Sequence, residues 1–162
     1  MTEPTPPADQ PAPLIMSRLF DAPRERVFEA WSSADHVKRW FSPMPYTTPD
    51  AEVDFRAGGV FAVCMRSPDG HDFWSRGEFT EVSPPDRLAF AGSVTIGGKT
   101  AFAIHTTVTF EDRDGGTLMT VVQSYEIYDP AALASVKGAP EGWRTTLDKL
   151  EAEVARIVAG GA

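Results

Sequence analysis

This 162-residue sequence contains one cysteine, three histidines and no long apolar run. A single cysteine, Cys64, excludes a disulfide within the chain and is typical of a reducing compartment, so we expect a cytoplasmic location. Cys64 lies in the apolar segment VFAVCMR, which predicts a buried, unreactive thiol. No apolar run approaches the ~20 residues that a membrane-spanning helix needs, so we expect no membrane insertion.

Positive charge is also scarce. The chain has 15 lysines and arginines against 23 aspartates and glutamates, which gives a formal net charge of -8. Nucleic acids and anionic membrane surfaces both require a positive patch on the protein that binds them. The composition therefore argues against a nucleic-acid partner.

The motifs of common catalytic and cofactor sites are missing as well. Neither G-x-S-x-G nor G-x-G-x-x-G occurs, and the stretch GSVTIGGKT has Ser93 where a phosphate-binding loop needs its first glycine. His36, His71 and His105 have no partner at a spacing typical of metal ligands. We expect His36 and His71 at the surface, no bound metal or cofactor, and no evident catalysis.

The sequence does contain strand-like segments between helical ones. Five prolines among residues 1–13 predict a disordered leader, and residues 14–160 are expected to form one domain. The segment 14–20 is typical of a strand; a short helix follows, capped by Asp21 or Ala22, and a second begins near Ser33. Apolar segments joined by glycine and proline turns then predict six strands at 51–59, 60–66, 72–82, 87–96, 101–112 and 117–127.

A long amphipathic helix is predicted from about residue 140 to 159. Apolar residues recur there at steps of four, three, four and three, at Trp143, Leu147, Leu150, Val154 and Ile157. The charged residues expected on its solvated side are Arg144, Asp148, Glu151, Glu153 and Arg156. An antiparallel sheet curled around one such helix is an α+β helix-grip fold, and the twist of the sheet leaves room for a cavity beneath the helix.

Aromatic and polar side chains are expected to line that cavity. Alternation in VFAVCMR places Phe61, Val63 and Met65 on one face, and in LMTVVQ it favours Met119, Val121 and Gln123 as the inward set. His105 faces either outward or into the cavity. The residues expected to line or gate a ligand site are Trp31, Trp40, Phe41, Phe61, Met65, Phe79, Phe90 and Trp143, with Gln123 and His105 as orienting polar groups.

Four blocks of the sequence resemble a known superfamily. FDAPRERVFEAWSSADHVKRWFSP, AGGVFAVCMRSPDG, GEFTEVSPPDRLAF and GWRTTLDKLEAEV are similar to the SRPBCC (START-like) proteins, in particular the branch resembling the C-terminal domain of the activator of the heat-shock-protein-90 ATPase. The resemblance spans residues 14–158 and implies a helix-grip fold with a cavity. Members bind lipids, sterols, polyketides and other hydrophobic molecules. Positions that match the family's shape are Trp40, Gly58, Gly59, Gly142 and Trp143.

The leading hypothesis is therefore binding of a small hydrophobic ligand between the sheet and the C-terminal helix. Two alternatives stay open. One is a cyclase- or hydrolase-like enzyme in the same cavity, with His105 as its titratable group. The other is a chaperone-associated or stress-related protein-binding module, although the separate chaperone-binding domain of the eukaryotic activator has no counterpart in residues 1–13. An exposed edge strand, LIMSRLF, could support a homodimer.

Overall fold

The structure is a computed structural model that describes residues 11–96 and 98–160. Residues 1–10 of the expected leader, and Gly97 in one expected turn, lie outside the described residues. Residues 11–13 have no regular secondary structure.

Within the described residues the order of elements is strand, two helices, six strands and the C-terminal helices. The strands are β1 (Leu14–Phe20), β2 (Thr47–Val53), β3 (Val60–Arg66), β4 (Asp72–Ser83), β5 (Arg87–Ile96), β6 (Lys99–Arg113) and β7 (Gly116–Ile127). The helices are α1 (Arg24–Glu29), α2 (Ala34–Trp40), α3 (Leu133–Lys137) and α4 (Ala139–Val158), with a 3-10 turn at Pro130–Ala132. None of these helices is long and apolar enough to cross a membrane.

All seven strands belong to one antiparallel sheet in the order β1-β7-β6-β5-β4-β3-β2. Strands β2 to β7 form a meander, and β1 returns beside β7. The apolar stripe of α4 is buried against side chains from β5, β6 and β7, among them Leu88, Val108 and Val121. The predicted α+β helix-grip fold is therefore confirmed, because the sheet curls around the C-terminal helix.

Several local boundaries differ from the sequence-based expectation. Helix α1 is preceded by Pro23 in an extended conformation, with no side-chain cap from Asp21 or Ala22. Strand β2 covers Thr47–Val53, so Gly58 and Gly59 lie in the loop before β3 and not at the end of a strand. The short helical segment at 130–137 was not predicted, although Asp129 accepts a hydrogen bond from the Ala131 N–H ahead of it.

One charged residue lies on the wrong side of α4 relative to the prediction. Glu153 was expected in solvent, but it is only 4% exposed. The apolar stripe is otherwise as predicted, since Trp143, Leu147, Leu150, Val154 and Ile157 are all buried.

Two glycines face each other across β4 and β5. Gly77 pairs with Gly92 across the two strands. A Cβ atom at Gly77 would lie 2.1 Å from the carbonyl oxygen of Ala91, and one at Gly92 would lie 2.9 Å from the carbonyl oxygen of Arg76. The strands approach each other too closely here for a side chain, so this close approach depends on glycine.

We expect Gly77→Ala to destabilise the protein by about 1–3 kcal/mol, because the clash is with backbone, which must shift to relieve it. The matched control is Gly142→Ala in α4, where the added Cβ meets only the Pro43 side chain at 3.4 Å. This control should be neutral, or stabilising by up to about 1 kcal/mol, because alanine favours helix over glycine. Urea unfolding measures both; equal stability of the two variants would contradict this account of the close approach.

Candidate functional site

The helices and the sheet bring the predicted aromatic residues into one cluster. Trp31 follows α1, while Trp40 and Phe41 stand at the end of α2. The ring centroids of Trp31 and Trp40 are 4.6 Å apart at 73°, and those of Trp40 and Phe41 are 5.2 Å apart at 64°. These are the edge-to-face arrangements that aromatic quadrupoles favour.

The sheet contributes three phenylalanines to the same cluster. Phe61 stacks on Phe79 with centroids 4.9 Å apart and meets Phe90 edge-on at 4.7 Å. Phe41 joins the two groups of rings, since its centroid lies 5.2 Å from that of Phe61 and 6.0 Å from that of Trp143. Seven of the ten predicted site residues are thus linked through ring contacts, and an eighth, Met65, packs at the margin of the cluster beside Phe61.

Burial separates the cluster into an inner and an outer part. Trp31, Trp40 and Phe79 have no exposed surface. Phe41 and Phe90 are only partly buried. Both rings pack against two groups of core residues, one beneath α4 and one between α2 and strands β2 to β4. Of the Trp40–Phe41 pair, Trp40 is therefore core, and Phe41 is the ring that solvent reaches.

The indole nitrogens of three buried tryptophans have different environments. The Nε1–H of Trp40 donates to the Ala30 carbonyl oxygen at 2.9 Å, and that of Trp143 donates to Gln123 Oε1 at 3.2 Å. The Nε1–H of Trp31 is buried and has no hydrogen-bond partner among the residues that the structure describes. Because native proteins leave few buried donors unpaired, this nitrogen is the unusual group of the cluster.

Gln123 faces inward, as predicted, and organises a small polar network. Its Oε1 accepts hydrogen bonds from Tyr125 Oη at 2.7 Å and from Trp143, while its Nε2 donates to Thr106 Oγ1 at 2.9 Å. Burial raises the pKa of the Tyr125 phenol to about 12. Both lone pairs of the Gln123 carbonyl oxygen are engaged within the protein, so this oxygen orients Trp143 and Tyr125.

His105 does not join the cluster. Its side chain is 56% exposed and lies 3.5 Å from Glu126 on the outer face of the sheet. The inward residues of β6 are Thr106, Val108 and Phe110, all buried. His105 is one position out of phase with them, so its predicted role as an orienting group inside the cavity is wrong, and the enzymatic hypothesis loses its titratable candidate.

A polar row on α4, which the sequence analysis missed, holds the segment from His36 to Tyr46. His36 was expected at the surface, but its side chain is only 13% exposed and its Nδ1 lies 2.7 Å from Glu153 Oε2. Burial by itself would raise the pKa of Glu153, but hydrogen bonds from Arg156 and His36 outweigh it and hold that pKa below its usual range. The pairing of residues 117 positions apart leaves no local signal in the sequence.

One turn towards the start of α4, Lys149 continues this row. Its Nζ donates to Ser42 Oγ at 2.8 Å and to the Tyr46 carbonyl oxygen at 3.2 Å. Burial lowers the pKa of Lys149. These contacts fix the backbone on either side of the proline-rich turn, and they thereby hold Phe41 in place over the aromatic cluster.

Two shallow surface hollows lie away from the aromatic cluster. One is lined by Arg24, Asp86, Arg87, Thr109, Phe110, Glu111 and Asp112, and the other by residues 76–78 and 91–93. Neither lining contains a predicted ligand-site residue. Among the described residues, no group of three or more histidine, cysteine, aspartate or glutamate side chains is arranged to hold a metal ion.

We expect Trp40→Ala to destabilise the protein by about 3–5 kcal/mol, because it leaves a large cavity in the core and an unpaired Ala30 carbonyl. Phe73→Ala is the control, since Phe73 is 56% exposed, and its loss should stay within about 0.5 kcal/mol. Chemical denaturation measures both. A loss at Trp40 as small as that at Phe73 would contradict the assignment of Trp40 to the core, and altered ligand uptake beside it would favour a gate.

We expect the Tyr125 phenol to ionise at about pH 12, later than an exposed tyrosine. Since the folded-state pKa is raised, the stability linked to this proton is present below the ordinary tyrosine pKa and is lost as the pH rises from there through about 12. Phenolate absorbance during alkaline titration measures this step. Tyr125→Phe should remove it, and an unchanged titration curve in that variant would refute the assignment.

Comparison with known proteins identifies the family to which this chain is similar. The model of the family described as Activator of Hsp90 ATPase homolog 1-like protein matches residues 21–155. A crystal structure from Nitrosomonas europaea is 27% identical, covers 91% of this chain and 96% of its own, and has a TM-score of 0.78. One from Rhizobium leguminosarum is 31% identical, covers 90% of this chain and 95% of its own, and has a TM-score of 0.77.

A third structure, the AHSA1 protein from Silicibacter pomeroyi, shares the fold at a TM-score of 0.74 and 24% identity, with 89% of this chain and 98% of its own covered. No curated protein matches the sequence. The family model covers most of the chain, and the solved structures reproduce its architecture almost from end to end. This chain belongs to the family of Activator of Hsp90 ATPase homolog 1-like proteins.

Proposed function

We propose that this protein binds a small hydrophobic ligand at the junction of Trp31, Phe41 and Phe90, between the sheet and α4. The observation that carries the proposal is the buried Nε1–H of Trp31, for which residues 11–96 and 98–160 supply no hydrogen-bond partner. An unsatisfied buried donor costs about 1–3 kcal/mol. A ligand with an acceptor atom at this nitrogen would remove that cost. The relief of this cost would add to the affinity of the protein for such a ligand.

The surroundings of Trp31 determine what kind of molecule fits. Its ring centroid lies 6.0 Å from that of Phe41 and 5.9 Å from that of Phe90. These two rings are apolar and partly exposed, which offers an entry from solvent that leads towards the buried indole. An apolar ligand body would replace solvent on Phe41 and Phe90, and rotation of Phe41 would open the way inward.

The buried polar groups of β6 and β7 around Gln123 are already paired with one another. The Gln123 carbonyl oxygen accepts two hydrogen bonds, and Thr106 accepts one from the Gln123 amide. The ligand is therefore expected to be mainly apolar, with a carbonyl, ether or hydroxyl oxygen opposite Trp31. In this arrangement Gln123 holds Trp143 and Tyr125 in position, and the predicted direct contact between Gln123 and the ligand is not needed.

The family assignment supports the same function. The fold of this family commonly binds hydrophobic ligands. The ring cluster between the helices and the sheet supplies the apolar surface that such a ligand requires.

We expect native mass spectrometry of the freshly purified protein to show an excess mass that disappears on denaturation. A panel of fatty acids, sterols and aromatic ketones should then raise the melting temperature of protein stripped of that ligand. A bare mass together with no stabilisation by any compound would contradict the proposal and favour the protein-binding alternative.

Trp31→Phe tests the role of the indole nitrogen. It should weaken binding of a ligand that carries a carbonyl about tenfold, because one hydrogen bond is lost, while a compound that lacks only that oxygen should bind both proteins equally. Trp74→Phe is the matched control, because Trp74 is only partly buried and contacts Arg76 at 4.5 Å, away from the cluster. Equal affinities of wild type and Trp31→Phe for the carbonyl compound would refute the assigned contact.

A further inference from the structure

The two edges of the sheet are built differently. The outer strand at one edge, β2, contains Pro49, which has no N–H to donate, and its register with β3 shifts between Thr47 and Asp50. The side chains of Asp50 and Glu52 are exposed on the same strand. Proline, an irregular register and exposed charge are the features by which natural sheets prevent another strand from pairing with an edge.

The other edge, β1, has none of these features. Its seven residues pair with β7 in an unbroken register, with no proline between Leu14 and Phe20. The side chains on its outer face are Ile15, which is 69% exposed, Ser17, and Leu19, which is 60% exposed. The only charged residue of the strand, Arg18, points to the opposite face, where its Nη1 lies 2.8 Å from Asp148.

The neighbouring strand extends this uncharged surface. On β7, Val122 lies opposite Ile15 and Leu118 lies opposite Leu19, while Thr120 shares a hydrogen bond of 3.0 Å with Ser17. We call the surface formed by Ile15, Ser17, Leu19, Leu118 and Val122 the β1 edge patch. In a chain with a net charge of -8, a patch without charge is where two copies repel each other least.

We propose that the β1 edge pairs with the β1 edge of a second copy of this chain, antiparallel and about a two-fold axis at Ser17. In this register Ile15 lies opposite the second copy's Leu19, and Arg18 lies opposite Met16, so no like charges face each other. Each strand offers the same backbone groups to the other, which is the self-complementarity that a two-fold interface requires.

The protected β2 edge determines the size of the assembly. With β1 edges paired, each copy presents only its β2 edge, which does not accept a further strand. The assembly therefore stops at a dimer and does not grow into a filament. Pairing of two seven-residue strands with a few apolar side chains makes a small interface, so the dimer should be reversible in the micromolar range.

The first test is sedimentation velocity over a micromolar to millimolar series of protein concentrations. Wild type should show a concentration-dependent monomer–dimer equilibrium. The double substitution Ile15→Lys with Leu19→Lys should remain monomeric throughout. The matched control is Met44→Lys with Phe73→Lys, which adds the same charge at residues of similar exposure, 60% and 56%, and should dimerise as wild type does. A monomeric wild type, or a dimer that survives the first double substitution, overturns the proposal.

The second test checks the register. Ser17→Cys places two thiols opposite each other at the proposed axis, and mild oxidation should convert it to a covalent dimer at least tenfold faster than Glu52→Cys, which exposes a thiol on the β2 edge. The native Cys64 is 2% exposed and stays in both variants. Equal rates of cross-linking for the two variants would overturn the proposed pairing even if a dimer forms.

Discussion

The need to cover the concave face of a curled sheet governs the rest of this structure. One helix, α4, supplies an apolar stripe that packs in one core with side chains of β1, β5, β6 and β7. Large aromatic side chains from the segment between β1 and β2, namely Trp31, Trp40 and Phe41, fill further space on the same face. Interiors are closely packed, so these rings complete the cover of the concave face.

The same constraint determines which polar groups the interior tolerates. Gln123, Thr106, Tyr125 and Trp143 satisfy one another, so their burial costs little. Trp31 belongs to the same interior, but within the described part of the chain its indole N–H has no hydrogen-bond partner. The polar groups around Gln123 therefore need no hydrogen bond from a ligand, whereas the indole N–H of Trp31 needs an acceptor. This difference favours a ligand with one acceptor atom. The proposed function follows from this difference between neighbouring indoles.

Polar contacts between α4 and residues 36–46 hold the aromatic segment against the helix. His36 and Ser42 lie on either side of Trp40 and Phe41, and they bind Glu153 and Lys149 of α4. Trp40 is further held by its hydrogen bond to Ala30. The Phe41 ring takes part in none of these polar contacts and is held by packing against the rings of Trp31, Trp40, Phe61, Phe90 and Trp143. Together the polar contacts and the ring contacts position the surface at which we propose that a ligand binds.

The amino-acid pattern by itself determined the order of elements, the apolar stripe of α4 and the inward set of β7, because periodicity of apolar residues reports which face of an element is buried. The alternation in β6 also predicts the orientation of His105. Val108 and Phe110 face inward, and His105 lies three positions before Val108, an odd number, so it faces outward. Only the tertiary structure decided that Glu153 is buried against His36, that the Trp31 nitrogen lacks a partner, and that one sheet edge is protected and the other is not. These features depend on contacts between residues that are far apart in the sequence. The local pattern of residues contains no information about such contacts.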